Sequence, residues 1–450
     1  MTKNLTAGNP LTLILSFAIP LYIGNLFQQS YNIIDTFIVG HTLGIDALAA
    51  VGSTGSLNFL ILGFIGGFGI GAAVITSQRF GAGDFEGVRK SFAATIIISI
   101  GLAVVMTIIS ALSAKPLLLF LQTPDEILEN AYNYILVVYL GIPTALLFNL
   151  AANIMRAVGD SRTPLYFLAA AFALKIGLNL IFILIFKLGT GGAAFATVIA
   201  QLVSGLLCIL YIRKKMPVLN ITAGDWRVNL SEITSHLKLA LPVAFQNSII
   251  AIGSITVTYA LNRLGTAAVA AYSAASRIDI LAYLILFSFG GAMTTYAAQN
   301  YGARRPDRIR KGILHISIIA VIYSIAIALV IYFTGNFFPS IFLGWESPQT
   351  LSMARNYLVI CSSFYIFLSM LFIIRQSLVG MGDSLTPTIA GIMELVMRIF
   401  AAIILGNTFG FIGICFSNPL AWIGAFIPLI IAFFIRMKKL LKQDFNETSG

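Results

Sequence analysis

The chain has 450 residues, 58% of them hydrophobic and 10% charged, with 28 basic and 17 acidic side chains and a net charge of +11. A water-soluble domain cannot hide that much apolar surface, so the ordinary soluble classes are excluded and lipid must be the main solvent. The basic excess would fit nucleic acid only if it formed a patch, and its placement along the chain argues against that.

The first apolar run begins at Leu11, soon after Lys3. It is too long for a signal-peptide core and lacks a small-x-small cleavage site, so it reads as a retained span. Uncharged stretches then recur at 47–78, 91–114, 131–155, 188–212 and 239–262, each at least the roughly 20 residues a bilayer-crossing helix needs. The whole pattern predicts an all-α membrane protein of twelve spans: 11–37, 46–78, 90–112, 129–152, 163–186, 191–213, 237–262, 267–300, 311–334, 354–375, 386–405 and 411–436.

With the N-terminus in the cytoplasm, the segments on that side hold 21 of the 28 basic residues, Arg375 among them, and the opposite side holds four. That inside-positive bias sets the orientation, with both termini cytoplasmic, and accounts for the basic charge as a topology signal. Nucleic acid is therefore not expected as a partner; the bilayer and a small organic solute are. Cys208, Cys361 and Cys415 all fall in apolar segments and read as small buried hydrophobes. His41, His236 and His315 are far apart in sequence and form no metal-ligand pattern.

The two halves repeat. LGIDALAAVG (43–52) matches LGTAAVAAYS (264–273), and SQRFGAGDFEGVRK (77–90) matches AQNYGARRPDRIRK (298–311), both at an offset of 221. AVGDSRTP (157–164) matches GMGDSLTP (380–387), and GTGGAAFA (189–196) matches GFIGICFS (410–417). Six spans per half make the repeat parallel, with a pseudo-twofold along the membrane normal. The expected lobes are 1–213 and 237–450, joined by a cytoplasmic linker, 214–236, near which Leu230, Ile233 and Leu237 suggest a short interfacial helix. Two such bundles suit alternating access by rocking. No phosphate-binding loop, selectivity filter, nucleophile–base pair or metal site is visible, so a cofactor-free carrier is expected and an enzyme is not.

Six charges fall clearly within the predicted spans rather than at a span's end residues: Asp35, Lys175, Arg277, Asp279, Glu394 and Arg398. Each costs about 2.5–3.5 kcal/mol at mid-bilayer and needs a partner or a cavity. Asn25, Gln28, Asn32 and Asp35 share one helix face, so Asp35 either lines an interior surface or caps its span at the outer interface. Lys175 and Asn179, one turn apart, are the nearest candidates to answer it; mid-span, Lys175 is better placed to pair than to snorkel. Glu394 and Arg398, four apart, either neutralise each other or face a solute. Ser276, Asp279 and Tyr283 share a face expected to look into the cavity, and Gly63, Gly67 and Gly71 form a small-residue row for tight helix packing.

FAIPLYIGNLFQQSYNIIDTFIVGHTLGIDALAAVG, RFGAGDFEGVRK, NIMRAVGDSRTP and GGAAFAT together resemble the multidrug and toxic compound extrusion (MATE) transporters over essentially the whole chain. The resemblance implies export of organic, often cationic or amphipathic, compounds in exchange for H⁺ or Na⁺ by a prokaryotic plasma-membrane protein, expected to be a monomer. It places the ion-coupling residues at Asp35, Asn153, Asn179 and Thr197, to which the sequence adds Lys175; a Na⁺ site would use Asp35 and Asn179. The solute cavity is expected to draw on Gln28, Asn32, Gln246, Asp279, Tyr283, Glu394 and Arg398. One position departs: the second acid usual in this branch, four residues after Asn179, is Ile183. The branch that uses a Glu on span 7 is not matched, since Gln246 stands in that stretch. The competing expectations are a lipid-linked oligosaccharide flippase of the same superfamily, which wants a basic cleft, and a major-facilitator carrier, whose usual loop spacing is missing.

Overall fold

A computed structural model describes residues 3–345 and 347–448, without the side chains of Asn32 and of 443–448. Among the described residues every regular element is a helix. The first half runs α1 (Pro10–Leu43), α2 (Ile45–Ser53), α3 (Gly55–Ala82), α4 (Phe85–Phe120), α5 (Asp125–Leu140), α6 (Ile142–Ala157), α7 (Arg162–Leu180) and α8 (Gly189–Lys215). The second runs α9 (Leu230–Asn262), α10 (Thr266–Gly302), α11 (Pro306–Thr334), α12 (Phe337–Leu343), α13 (Pro348–Ser363), α14 (Tyr365–Gly380), α15 (Leu385–Phe400), the short α16 (Gly406–Phe409) and α17 (Phe411–Cys415), and α18 (Ser417–Thr448). Among the described residues ten helices are long and apolar enough to cross a membrane. The pairs α5–α6, bent by 46°, and α13–α14, bent by 50°, bring the number to twelve if each pair is one span.

The duplication reappears as backbone geometry. Gly44 and Gly265 break the chain after the first helix of each half at φ 90° and 92°. Gly159 and Gly382 turn at φ 89° and 86°, and Gly189 and Gly410 at 58° and 60°. Only glycine takes such angles without strain, so the repeated glycines are the repeated turns. The acid after Gly159 and Gly382 is a helix cap. Asp160 Oδ1 accepts from the amides of Arg162 and Thr163, and Asp383 Oδ1 accepts from the amide of Thr386 at 3.0 Å. Both Asp Oδ2 atoms also accept from a threonine hydroxyl, Thr163 and Thr386. The GDS-x-TP motif is thus explained by satisfying the free N–H groups that start α7 and α15.

The compact units do not divide the chain at one point. One comprises residues 1–4 and Ile23–Ala244; the other comprises Leu5–Tyr22 and Phe245–Gly450. The two boundaries inside helices fall two residues after a proline, Pro20 in α1 and Pro242 in α9. A proline there removes one backbone hydrogen bond and crowds the preceding turn, which marks where a long helix can change neighbours.

The first unit has cores around Phe64, Ile65, Leu118 and Tyr139, and around Phe92, Ile154, Met155 and Cys208. Gly71 lets α3 lie against α9: a Cβ there would sit 2.7 Å from the Ala240 Cα. This close approach is the tight packing expected of the small-residue row. The linker folds as two short 3-10 turns, 217–219 and 223–226. Its Asp225 accepts from Arg89 Nε of α4 at 3.1 Å and from the Thr222 amide and hydroxyl at 2.8 and 2.7 Å. No separate interfacial helix forms. Leu230, Ile233 and Leu237 belong to the first turns of α9, tied down where Arg79 Nη2 meets Glu232 at 2.7 Å and His236 Nε2 meets the Ser91 hydroxyl at 2.8 Å. The second unit packs around Phe289, Tyr296, Leu371 and Trp422. All three cysteines are buried and unpaired.

Several span ends shift, and two of the shifts bear on the polar residues. The fourth and tenth spans were expected to stop at 152 and 375, but α6 runs to Ala157 and α14 to Gly380. Arg375 therefore lies not in a cytoplasmic loop but inside a helix, 3% exposed.

Candidate functional site

In the first unit, α1 carries Asp35 and α7 carries Lys175 and Asn179, and the three side chains meet. The Lys175 ammonium bonds Asp35 Oδ2 and the Asn179 amide nitrogen donates to Oδ1 at 2.8 Å. All three are buried, Asn179 completely. The four-residue spacing of Lys175 and Asn179 puts both on one face of α7, so one helix supplies both donors. Tyr31, one turn before Asp35, places its ring 4.6 Å from the ammonium. Its hydroxyl donates to the Leu168 carbonyl at 3.3 Å, which ties α1 to α7 beside the pair. A cation so placed gains from the ring face as well as from the carboxylate.

The donor set decides what the site can hold. Both carboxylate oxygens face N–H donors, and one donor is cationic. The buried Asn179 carbonyl oxygen has no hydrogen-bond partner among the described residues. Ile183, at the position of the branch's second acid, sits in a π-helical turn, 181–185, among Ile38, Val39, Ala47 and Ala193. At that position, where the resemblance implies a second carboxylate, the chain has an apolar cluster. Among the described residues no group of three or more His, Cys, Asp or Glu side chains could hold a metal ion.

The remaining residues expected at the coupling site lie elsewhere in the same unit. Asn153 is buried on α6, where its oxygen accepts from Arg156 at 3.3 Å. A Cβ on Gly69 would touch the Asn153 amide, so the close approach of α3 depends on that glycine. Thr197 donates to the Ala193 carbonyl of its own helix. Neither makes a hydrogen bond to Asp35 among the described residues. Gln28 is exposed, and the Asn32 side chain lies outside what is described. An apolar groove of about 610 Å³ between α4 and α6, lined by Ile96, Ala103 and Leu146, contains none of these charged groups.

The second unit holds two further polar clusters. Glu394 on α15 is clamped between Arg375 Nη2 at 2.7 Å and Arg398 Nη2 at 2.9 Å. Gln246 of α9, with its amide oxygen turned to the guanidinium, accepts from Arg375 Nε and Nη1 at 3.0 and 3.1 Å. The expected Glu394–Arg398 pair is therefore a triad. Arg375 was missed because a lone base at the end of an apolar run reads as a loop residue. The GMGDSLTP turn carried the correction, since it puts the helix end near 380.

Asp279 of α10 is the second cluster. It is 3% exposed, and its oxygens accept from the Tyr365 hydroxyl at 2.6 Å and the Tyr357 hydroxyl at 3.2 Å. Asn418 donates to the Tyr357 hydroxyl oxygen at 2.9 Å. Tyr283 lies a turn further along α10, its ring 6.2 Å from Phe372. The tyrosines of α13 and α14 carried no sequence signal, because aromatic residues in an apolar span read as packing.

The MatE family model matches this chain twice, at residues 20–181 and 242–404, one match per repeat. The chain is 28% identical over 372 residues to the probable multidrug resistance protein YpnP of Bacillus subtilis, covering 82% of each. It is 24% identical over 428 residues to the multidrug export protein MepA of Staphylococcus saprophyticus, covering 94% of this chain and 93% of that protein. Its fold matches a crystal structure of MATE in complex with MaL6 with a TM-score of 0.91, at 25% identity and over 98% of this chain and 100% of that one. An outward-facing multidrug resistance MATE transporter of the MOP superfamily matches with a TM-score of 0.90, at 24% identity and over 97% and 98% of the two chains.

Proposed function

The chain belongs to the MatE family, a family of membrane transporters, and on that premise we propose that it is a secondary active antiporter that exports organic compounds in exchange for protons. The proposed carrier works by alternating access in a prokaryotic plasma membrane, as a monomer, with both termini cytoplasmic. Family membership sets aside the major-facilitator reading. The multidrug names of the relatives support a broad set of amphipathic or cationic solutes.

The observation that carries proton coupling is the buried contact of Lys175 with Asp35. A charge in a low-dielectric interior has to be neutralised by a partner or by a proton. In the arrangement seen, Lys175 neutralises Asp35. In the other access state the pair separates, the ammonium rests on the Tyr31 ring, and a proton on Asp35 takes its place. Exchange of one positive partner for another is the differential interaction a coupled two-state switch requires. Na⁺ fits less well. It needs several oxygen ligands, whereas the Asp35 oxygens face nitrogen donors, a fixed ammonium repels a second cation, and Ile183 supplies no carboxylate.

The test is ethidium transport in proteoliposomes under an imposed pH gradient or an imposed Na⁺ gradient. Undiminished pH-driven transport by Asp35→Asn would remove Asp35 from the coupling role.

A further inference from the structure

Three acids are buried in membrane-crossing helices, and two of them are ion-paired: Asp35 with Lys175, and Glu394 with two guanidiniums. Asp279 differs. It makes no ion pair among the described residues, and its bonds come from uncharged tyrosine hydroxyls. A hydroxyl can donate to a carboxylate or accept from a carboxylic acid, so the cage satisfies Asp279 in either state. An ammonium or guanidinium, which only donates, would not. The side chain is sealed from solvent, so a solute would need a cavity to reach it, while a proton needs only a hydrogen-bonded path. The Tyr357 hydroxyl, 3.2 Å from the carboxylate, is a relay group on such a path, oriented by the Asn418 amide that donates to its oxygen at 2.9 Å.

We propose that Asp279 is a second protonation site of the transport cycle, taking up and releasing a proton within the second unit. This rests on the proton-coupled reading given above and adds to it a site that makes no use of Asp35. The reaction is a transfer of H⁺ between water and the carboxyl group: the Tyr357 hydroxyl gives its proton to the carboxylate and takes one from the water side, so the net change is one O–H bond formed on Asp279 and one broken on hydronium.

The ionisable surroundings of Asp279 favour that role. On its own helix Tyr272 and Tyr283 are within electrostatic range. Arg277 is exposed and lies over the Phe342 ring at 5.9 Å. From α13 come Tyr357 and Cys361, and from α14 Tyr365. The α11 side presents Tyr323, whose hydroxyl is committed to the Ala282 carbonyl at 2.7 Å. The seven residues of α12, FFPSIFL, carry no ionisable side chain. A fixed charge acting on these tyrosines is Arg398 of α15, which acts on Tyr272 and Tyr283 and is itself bonded to Glu394.

The experiment is pH-dependent infrared difference spectroscopy of the whole protein in liposomes, reading the carbonyl stretch of a protonated carboxylic acid, paired with the number of protons moved per ethidium. A carbonyl band lost in Asp279→Asn, with protons per ethidium halved in that variant, is the expected result. Tyr365→Phe keeps the acid and serves if Asp279→Asn does not fold; it is expected to move the pH at which the band appears by about one unit. Wild-type and Asp279→Asn spectra that superimpose, or a band unmoved by Tyr365→Phe, would overturn the proposal, as would an unchanged proton ratio. A band assigned to Asp279 in a protein that shows no pH-driven flux would instead overturn the antiporter reading while leaving the acid a protonation site.

Discussion

Lys175 on α7 and Asp35 on α1, 140 residues apart, form a buried ion pair with Asn179 on the second carboxylate oxygen. Neither side chain has water to fall back on, so each depends on the other. Removing one member of such a pair costs about 3–5 kcal/mol, because the other charge is left buried and alone.

Asp35→Asn should therefore melt well below the wild type in detergent. The double variant Asp35→Asn with Lys175→Met should recover most of the loss, since no charge is then stranded. Thermal unfolding of the three proteins checks this; equal melting of the single and double variants would show that the pair carries no coupled energy.

The apolar cluster around Ile183 is the second local feature. Replacing Ile183 with Asp and Lys175 with Gln returns a second carboxylate and removes the repelling ammonium. That double variant is expected to gain Na⁺-stimulated ethidium efflux relative to the wild type. Efflux measured against Na⁺ at fixed pH reads it.

In the second unit Glu394 neutralises two guanidiniums at once. Glu394→Gln leaves both unneutralised in the interior and should destabilise by about 3 kcal/mol or more. Arg398→Gln keeps the Arg375–Glu394 pair and should lose less. Thermal unfolding in detergent ranks the two variants.

The linker supplies a pH prediction outside the membrane. Burial alone would raise the Asp225 carboxyl above its ordinary 3.8, but bonds from Thr222 and Arg89 outweigh it and the net shift is downward. The folded form then binds its proton less readily than the unfolded chain does. The stabilisation is full above 3.8 and is lost as pH falls through the lower folded value. The protection factors of the amides in 217–227 should be constant near neutrality and fall only in strong acid, whereas in Asp225→Asn they should be low at every pH.

How much of this could be read from the chain depends on the kind of signal. Lys175 and Asn179 were legible because i, i+4 polar residues in an apolar helix have one face to share, and the absence of an acid at Ile183 made the lysine conspicuous. The turns were legible because both copies keep their glycines. Arg375 was not, since a base at the end of an apolar run carries no mark of whether the helix continues, and the bend between α13 and α14 has no proline at the break. The interfacial helix read into Leu230, Ile233 and Leu237 failed for the complementary reason: amphipathic spacing does not say whether a short helix stops or runs on into a span. The Asp279 cage was invisible because its partners are 78 and 86 residues away.

Proton coupling through Asp35 is decided by ethidium flux in proteoliposomes, under a pH gradient without Na⁺ and under a Na⁺ gradient without a pH gradient. Flux with the pH gradient alone, and its loss in Asp35→Asn, is the expected result. Flux that requires Na⁺, or pH-driven flux that survives Asp35→Asn unchanged, would contradict it.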